Sequence, residues 1–350
     1  MEYNYKNKIK IDGIGIGYQE PCYIVAEIGI NHNGSVKLAK KLIDGAISAG
    51  ANAVKFQKRD LNNIYKSDVL NDPTIESQGF EILIDVLKNV EFNENQYHEI
   101  LEYCKTKNIS FLCTAWDKKS VDFLESLNIS SYKIASADMT NFPLIKYILK
   151  TKKPIIVSTG MSTAEEIEKT VKFLKNENAD FILLHSNSTY PAPIESLNLC
   201  LISQMREKYD VPVGYSGHEP NIIPSVMAAN MGAVILERHI TIDKNMEGLD
   251  HAASLNVEEF SILVKNIRES EIAYGKPQKK MTRGEILQRE VLGKSLVCKE
   301  NIAKNGIFSE ENIEVKGPAK GISPQYYYEI LGKIAKREIK RGDFIQNEDL

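Results

Sequence analysis

The chain has 350 residues, of which 43% are hydrophobic and 26% charged, and this composition excludes disordered, collagen-like and coiled-coil proteins. Lys and Arg (44) nearly balance Asp and Glu (47), so the net charge of -3 argues against a broad nucleic-acid-binding surface. No apolar run reaches the roughly 18 residues of a membrane span, no signal peptide is evident, and we expect a cytoplasmic protein. Five widely spaced cysteines predict buried, reduced thiols.

Short β-rich runs alternate with longer stretches of helical apolar period through the first 275 residues. In the first unit, the run 22–27 is followed by a helix start at 33–35 and a helix stop at Gly50. The predicted strands are 22–27, 53–56, 109–113, 132–136, 154–158, 181–185, 211–215 and 233–237. Eight strand–helix units over about 250 residues predict a (β/α)8 TIM barrel, because a doubly wound sheet would break the repeat and carry a glycine-rich phosphate loop.

Further segments flank the predicted barrel. The first 20 residues contain GIGIG, which predicts a short β ribbon outside the barrel and lacks the spacing of a dinucleotide site. Residues 276–290 are polar and predict a linker. Residues 291–350 alternate short strands with glycine turns, which predicts a small β-rich domain that packs on its own barrel or on a partner. We therefore expect the ribbon and barrel to occupy residues 1–275.

Polar side chains end all eight predicted strands, and the active sites of TIM barrels lie at that end. These residues are Glu27, Lys55, Gln57, Thr114, Lys133, Ser136, Asp138, Ser158, His185, Ser188, Tyr190, Ser216, His218, Glu237 and His239. One such residue is more often structural than functional. Their presence at every strand end predicts a functional barrel mouth.

Two histidines follow the seventh and eighth strands, which are neighbours in a barrel. His218 and His239 could therefore share a divalent cation such as Mn²⁺, Fe²⁺ or Zn²⁺, and an oxygen-rich shell would favour Mn²⁺ or Mg²⁺. The alternative is a hydrogen-bonded pair without metal, and spacing alone does not decide between the two. His185 lies in an apolar run and is interpreted as a core histidine, whereas His251 lies in a loop and fits either role.

Two lysines, Lys55 and Lys133, end the second and fourth strands among several hydroxyl groups. Ammonium groups beside hydroxyl donors predict a receptor for a small phosphate or carboxylate. In one alternative a lysine is a Schiff-base nucleophile, which requires a lowered pKa. In another the lysines form structural salt bridges to Glu27 or Asp138. Glu27 itself could be a general base, a proton shuttle or a polar anchor for a hydroxylated substrate.

Six motifs together resemble the sialic acid synthase family over nearly the whole chain. They are IVAEIGINHNG at 24–34, VKFQK at 54–58, YKIAS at 132–136, STGM at 158–161, GYSGHE at 214–219 and LERH at 236–239. The C-terminal segment is similar to the family's antifreeze-like SAF domain. The resemblance implies a TIM barrel followed by a SAF domain. It also implies an enzyme that condenses phosphoenolpyruvate with an N-acetylhexosamine, N-acetylmannosamine or a related sugar, to form a nine-carbon 2-keto acid.

The resemblance also implies roles for single residues. His218 and His239 would bind a divalent metal, usually Mn²⁺ with Mg²⁺ and Co²⁺ as alternatives, that polarises the sugar aldehyde. Glu27, Lys55, Lys133 and His218 would be catalytic. Phosphoenolpyruvate would be held by Lys55, Thr114, Lys133, Ser136, Ser158 and Ser216, and the remaining substrate contacts would come from Gln57, Asp138, Ser188, Tyr190, Asp250 and Lys320.

The implied reaction begins with attack of C3 of phosphoenolpyruvate on the aldehyde. Water then adds at C2, with Glu27 able to handle the protons, and phosphate leaves by C–O cleavage. The family further implies a domain-swapped homodimer in which each SAF-like domain covers the partner's barrel mouth. The predicted partners are thus two small substrates and a second copy of the chain, with no nucleic acid and no membrane.

Some positions depart from the pattern of the bacterial synthases. Ser188 replaces an asparagine and Asp138 replaces a glutamate, as in the animal-type synthases. Gly317 stands where the bacterial enzyme has an arginine that reaches the sugar across the dimer, and Lys316 or Lys320 could substitute for it. The acceptor is therefore left open among N-acetylmannosamine, its 6-phosphate and the precursors of legionaminate and pseudaminate. A Schiff-base lyase, which has no use for the two histidines, and a non-enzymatic binding protein are the more distant alternatives.

Overall fold

Eight parallel strands close into a barrel in the computed structural model, which describes residues 8–76 and 80–350. The first of two structural units ends at residue 275. Its strands are β1 (Ile9–Ile11), β2 (Ile14–Ile16), β3 (Tyr23–Gly29), β4 (Ala53–Lys58), β5 (Ser110–Ala115), β6 (Tyr132–Ile134), β7 (Ile155–Ser158), β8 (Phe181–Ser186), β9 (Val213–Gly217), β10 (Ile235–Thr241) and β11 (Leu255–Asn256). Strands β3 to β10 pair in chain order, and β10 pairs with both β9 and β3, which closes the sheet. The predicted TIM barrel is confirmed.

Helices connect successive barrel strands. They are α1 (Val36–Ser48), α2 (Leu61–Ile64), α3 (Ser67–Asn71), α4 (Phe80–Val90), α5 (Glu94–Thr106), α6 (Lys118–Ser126), α7 (Phe142–Leu149), α8 (Ala164–Asn176), α9 (Cys200–Tyr209), α10 (Ile223–Asn230) and α11 (Val257–Tyr274). Helix α1 shows the common design, since the Ser35 side chain caps its first turn and Leu42 and Ile43 are among the residues it buries. Such faces pack on the outward side chains of the strands and form the main hydrophobic core.

The N-terminal hairpin belongs to the barrel interior. Strands β1 and β2 pair with each other, and Ile9, Ile11 and Ile16 are buried. These isoleucines pack with inward-facing residues near the starts of the barrel strands, among them Val25 and Ile182. The expectation of a ribbon outside the barrel is therefore wrong. The period-two spacing of the isoleucines gives the hairpin one apolar face, and that face fills the lower end of the barrel.

The second unit spans residues 276–350. It contains α12 (Arg283–Leu292), the antiparallel strands β12 (Ser295–Cys298) and β13 (Ile313–Lys316), and α13 (Tyr327–Ile330). A separate small apolar core includes residues of β12, β13 and α13, whereas α12 has no buried residue. Helix α12 lies partly within the segment 276–290 that we predicted as a linker. The helix begins there because Thr282 and Glu285 form a reciprocal capping box.

Two further expectations concern cysteines and membranes. All five cysteines are unpaired, and four are buried, but Cys200 is exposed at the start of α9, so the prediction of uniformly buried thiols is wrong at that position. No helix within the described ranges is both long and apolar enough to cross a bilayer.

Candidate active site

A cavity of about 300 Å³ lies at the carboxyl ends of the barrel strands. The predicted site residues that line it are Glu27, Lys55, Gln57, Thr114, Lys133, Ser136, Ser158, Ser188, Tyr190, Ser216, His218, His239 and Asp250. Asp138 is not among the lining residues, and its carboxylate accepts a hydrogen bond of 2.8 Å from Asn141. Lys320 belongs to the second unit, where its backbone amide donates to Ser295. The strand-end rule thus brings most of the predicted residues into one space.

Lys55 is buried at the base of the cavity. Its Nζ lies 2.9 Å from Oε2 of Glu27 and 3.7 Å from Oε2 of Glu237, and it donates a hydrogen bond of 3.2 Å to Thr114. Burial alone would lower the pKa of Lys55, but the carboxylates of Glu237 and Glu27 outweigh it and raise the pKa. Lys55 therefore stays protonated, and the salt bridge to Glu27 that we considered as an alternative is present.

Lys133 also lies in the cavity, but its positive charge is less well balanced by carboxylates than that of Lys55. Its Nζ donates to Ser158 Oγ at 2.7 Å and to the Ile134 carbonyl at 3.2 Å, while the nearest oxygen of Glu237 is 3.9 Å away. Burial lowers the pKa of Lys133 to about 8, with Lys55 acting in the same direction and Glu237 against it. Lys133 can therefore exchange its proton near neutral pH.

Glu237, which we predicted only as a strand-end residue of the barrel mouth, joins the two lysines. Its Oε1 accepts a hydrogen bond of 3.0 Å from Ser216. Burial would raise the pKa of Glu237, but the ammonium groups of Lys133 and Lys55 lower it to about 2. The available signal was its spacing, because Glu237 precedes His239 by two residues on β10 and so shares its face.

Glu27 and Gln57 form the wall of the cavity next to Lys55. Gln57 Nε2 donates to Glu27 Oε1 at 2.7 Å. Gly29, at φ 53°, is enclosed by this pair, since an added Cβ would lie 3.2 Å from Gln57 Nε2, 3.2 Å from His239 Cε1 and 3.3 Å from Glu27 Oε1. The left-handed backbone and the lack of space both require glycine here.

The rings of His218 and His239 lie side by side in the cavity lining, with centroids 5.5 Å apart. His218 Nδ1 lies 2.7 Å from the Asn187 carbonyl oxygen, which fixes the tautomer and leaves Nε2 with its lone pair. Burial and the neighbouring His239 lower the pKa of His218 to about 3, so the ring is neutral as a metal ligand must be. His239 Nδ1 is buried, has no hydrogen-bond partner in the described residues and lies 3.7 Å from Asp250 Oδ2.

This histidine pair fits an open metal site. Among residues 8–76 and 80–350, no three His, Cys, Asp or Glu side chains are grouped closely enough to enclose an ion. A cation held by the two rings would therefore complete its coordination shell with water or substrate oxygen atoms, which is the arrangement of catalytic rather than structural metal sites.

Hydroxyl groups converge on the opposite side of the cavity, above the STGM motif. A Cβ at Gly160 would lie 2.2 Å from Ser188 Oγ and 2.7 Å from Ser136 Oγ. Met161, the next residue, adopts the left-handed region at φ 57° and lines the cavity. Gly160 thus allows two hydroxyl groups from different loops to approach one backbone position.

The other three buried histidines are hydrogen-bonded inside the protein. His32 Nδ1 accepts a hydrogen bond of 3.2 Å from the Gly34 amide, His185 Nε2 lies 2.6 Å from the Leu197 carbonyl, and His251 Nδ1 lies 2.7 Å from Thr241 Oγ1. None of these rings lines the cavity of about 300 Å³.

Arg59 is a lining residue that we did not predict from the sequence. It is 7% exposed, and its guanidinium carbon lies 4.8 Å from the ring centroid of Trp116, which also lines the cavity. Its Nη2 donates to Gln57 Oε1. Because Lys55, Gln57 and Arg59 are spaced by two residues, they form one inward row from the base of the cavity to its rim.

Comparisons with known proteins identify the family of the chain. Residues 42–279 match the NeuB family, and residues 293–350 match the SAF domain. The chain is 39% identical over 328 residues to N,N'-diacetyllegionaminic acid synthase of Campylobacter jejuni, covering 92% of this chain and 98% of that one. It is 36% identical over 339 residues to human N-acetylneuraminate-9-phosphate synthase, covering 96% and 94% of the two chains.

A solved structure gives the same result. The N-acetylneuraminic acid synthetase of Leptospira borgpetersenii is similar with a TM-score of 0.72 and 31% sequence identity, over 80% of this chain and 94% of that chain. The predicted family and the predicted C-terminal SAF domain are both confirmed. The chain belongs to the NeuB family and carries a C-terminal SAF domain.

Proposed function

We propose that the protein condenses phosphoenolpyruvate with an N-acetylhexosamine and water to give a nine-carbon 2-keto sugar acid and inorganic phosphate. One observation carries this proposal: two buried ammonium groups and a pair of neighbouring histidine rings line the same cavity of about 300 Å³. The relatives whose names are synthases of sialic acid-type products support the reaction class.

The lysine pair suits phosphoenolpyruvate, which carries a phosphate and a carboxylate. Lys55 and Lys133 supply charge-assisted donors, and the hydroxyl groups of Thr114, Ser158 and Ser216 lie within hydrogen-bond distance of these lysines or of Glu237. Ion pairs hold both ammonium groups in place before substrate binds. Their low exposure strengthens the attraction for an anion compared with the same groups in water.

The histidine pair suits a divalent cation, and we propose Mn²⁺, with Mg²⁺ and Co²⁺ as alternatives. The support is the unpartnered Nδ1 of buried His239 and the fixed tautomer of neutral His218. When bound, such a cation supplies Lewis-acid polarisation of the carbonyl oxygen of the acceptor.

The side chains suggest how the remaining chemistry proceeds. C3 of phosphoenolpyruvate attacks the aldehyde carbon: the C2=C3 double bond supplies the electron pair of the new C–C bond, the C=O double bond opens, and C2 is left as an oxocarbenium-like centre. The aldehyde oxygen takes a proton from water and becomes a hydroxyl group. Water then adds at C2, and Glu27, held by Lys55 and Gln57, is placed to accept its proton. The C2–O bond to phosphate breaks last, which leaves a ketone and inorganic phosphate.

A panel assay tests this proposal. Metal-stripped protein is supplied with phosphoenolpyruvate and either N-acetylmannosamine, its 6-phosphate or a diacetamido sugar, with and without Mn²⁺, and phosphate release is followed. We expect release that requires both the metal and one of the sugars. Release without sugar, or no release with any sugar, would contradict the proposal.

A Schiff-base lyase is the second candidate, because the pKa of Lys133, lowered to about 8, is a property of nucleophilic lysines. Borohydride trapping with pyruvate separates the two functions. We expect no covalent adduct by mass spectrometry, whereas an adduct on Lys133 would favour the lyase.

We also propose a cytoplasmic homodimer in which each SAF domain covers the partner's barrel mouth. The resemblance to the family supports the dimer, and five unpaired thiols are typical of a reducing compartment. Lys320 is the proposed basic contact to the sugar, because the Nζ of Lys316 pairs with Glu314 at 2.6 Å. Mixing inactive Lys55→Ala and Lys320→Ala subunits should restore part of the activity in mixed dimers, and absence of recovery would contradict the exchange of domains.

A further inference from the structure

Arg59 differs from the other cations of the cavity in its lack of an acidic partner. Three cationic side chains line the cavity, and Lys55 and Lys133 each have a carboxylate oxygen within 4.0 Å. In the part of the chain that the structure describes, no carboxylate oxygen lies within that distance of the Arg59 guanidinium. A buried charge without an ion pair is costly, so such a group suggests a ligand that completes the pairing.

The surroundings of Arg59 leave its donors for a ligand. Its Nη2 donates to Gln57, and among the described residues no partner is found for Nε or Nη1. The nearby carboxylate of Glu91 is engaged elsewhere, because its Oε1 accepts from Lys58 Nζ at 2.7 Å and from the Arg59 backbone at 3.2 Å. Trp116 supports one face of the guanidinium, so the planar edge is fixed in orientation.

Apolar side chains also line the cavity. Ile64, Leu83 and Leu87 contribute to its wall, and none of them competes with Arg59 for an anion. Exclusion of water by such a wall strengthens a charge-assisted hydrogen bond compared with the same bond in solvent. The environment therefore favours a small, doubly hydrogen-bonded anion at this position.

The row formed by Lys55, Gln57 and Arg59 gives the order of groups along the cavity. The Arg59 guanidinium contacts Gln57, Gln57 contacts Glu27, and Glu27 pairs with Lys55. An open six-carbon sugar with a terminal phosphate is roughly 10 Å long from standard bond lengths, so an acceptor whose aldehyde end lies beside Glu27 would extend past Gln57 toward Arg59.

We propose that Arg59, supported by Trp116, binds an anionic group at the far end of the acceptor, and that this group is a phosphate monoester. This inference rests on the proposed function and selects the phosphorylated acceptor from the sugars considered above. Arg59 is thus a specificity-determining residue, because a neutral sugar leaves its guanidinium unpaired.

The test compares acceptors in the wild type and in Arg59→Met. The value of kcat/KM is measured for N-acetylmannosamine 6-phosphate and for N-acetylmannosamine, with saturating phosphoenolpyruvate and Mn²⁺. We expect the wild type to prefer the phosphorylated sugar, and the ratio of the two values to fall by about 10- to 100-fold in Arg59→Met, as loss of charge-assisted hydrogen bonds predicts. Arg59→Lys keeps the charge without the planar fork and should fall between.

Arg206→Met is the matched control. Arg206 also lies over an aromatic ring, 5.4 Å from the centroid of Tyr18, and donates to the Met231 carbonyl, but it does not line the cavity. The acceptor ratio should be unchanged in this variant.

Four outcomes separate the hypotheses. An unchanged ratio in Arg59→Met would overturn the inference, as would a raised KM for phosphoenolpyruvate at constant ratio, which would place Arg59 in the other substrate site. Turnover by the wild type of neutral sugars alone would overturn it and leave the proposed function intact. If no sugar is turned over, the proposed function fails. The Arg59 site is then tested separately by calorimetric binding of N-acetylmannosamine 6-phosphate, and equal affinity in the wild type and Arg59→Met would overturn it.

Discussion

The lower and upper halves of the barrel interior are built from the same strands but have opposite chemistry. In the lower half, inward side chains pack with the isoleucines of the β1–β2 hairpin, and in the upper half they line the cavity. The change occurs over one two-residue step: Val25 to Glu27, Ala53 to Lys55, Leu112 to Thr114, Ile156 to Ser158, Leu184 to Ser186 and Ile235 to Glu237. Stability and chemistry are thus assigned to successive layers of one scaffold.

Burial of side chains contributes with opposite sign to the free energy of folding in the two layers. Burial of apolar side chains in the lower half stabilises the fold. Burial of Lys55, Lys133, Glu27 and Glu237 in the upper half carries a desolvation penalty that their mutual attraction offsets only in part. Substitutions in the upper layer should therefore change activity more than stability, and those in the lower layer should do the reverse.

The largest effect is expected at His239. His239→Ala should lower turnover by at least about a thousandfold, since it removes one of two proposed metal ligands. The melting temperature should be nearly unchanged, and calorimetry on the apo protein should show loss of Mn²⁺ binding. His98→Ala, at an exposed position, is the control. Normal activity of metal-depleted His239→Ala would contradict the metal assignment.

A buried ion pair that is adjacent to His218 and His239 in the sequence should affect stability strongly, unlike the residues of the upper layer. Arg238 Nη1 lies 2.8 Å from Glu219 Oε1, and both side chains are fully buried. Arg238→Met should lower the free energy of unfolding by about 3–5 kcal/mol, because it leaves the Glu219 charge unpaired. Urea unfolding measures the effect, and Arg268→Met, which removes a partly exposed pair with Glu271, should cost less than about 1 kcal/mol. Equal losses in the two variants would contradict this account.

The lower layer is tested at Ile11. Ile11→Ala should reduce the free energy of unfolding by about 2–5 kcal/mol through the cavity it leaves, while KM for phosphoenolpyruvate stays constant. Ile14→Ala in the same hairpin is the control, because Ile14 is exposed and its truncation should change stability little. A raised KM in Ile11→Ala without loss of stability would show that the layers are coupled.

The smallest effect is a pH dependence at Lys133. Because the pKa of Lys133 is lowered to about 8, its positive charge is lost as the pH rises through that value, and KM for phosphoenolpyruvate should rise by up to about tenfold per pH unit above it. Lys133→Arg should flatten the profile, because arginine stays charged. A pH profile of KM that is the same in both proteins would contradict the assignment.

The contribution of Lys133 to the free energy of unfolding should increase with pH over the same range. In the unfolded chain a lysine keeps its proton up to about pH 10.4, so between pH 8 and that value the unfolded state binds more protons than the folded state. The contribution of Lys133 to the free energy of unfolding therefore rises with pH in this window. As the pH rises above about 8, Lys133 should therefore weaken the binding of phosphoenolpyruvate and increase the stability of the fold.

The sequence allowed most of the mouth to be predicted, because strand ends are marked by abrupt changes from apolar to polar residues. The role of Glu237 and the place of Arg59 in the cavity were missed for a common reason. Glu237 precedes His239 in the inward row of β10, and Arg59 continues the row of Lys55 and Gln57 one residue past the end of β4, but period-two alternation was not applied to either segment.

Other features depended on tertiary structure. The salt bridges of Lys55 to Glu27 and Glu237 join three strands, and of the two partners only Glu27 was among the alternatives that the sequence offered. The position of the hairpin was missed because a ribbon with one apolar face has several surfaces on which it can pack. Helix α12 was missed because polar composition was weighed above the Thr282 and Glu285 capping box.

The hairpin that fills the lower end of the barrel also has a kinetic consequence. Because the lower end of the barrel is packed, both substrates must enter and leave at the carboxyl ends of the strands. Phosphoenolpyruvate, which we place on Lys55 and Lys133, must therefore bind before the acceptor that extends to Arg59. We therefore expect a compulsory order, phosphoenolpyruvate first, and initial-rate patterns that are those of ordered rather than random addition. Three isoleucines far from any reacting atom would in this way set the order of events in the catalytic cycle.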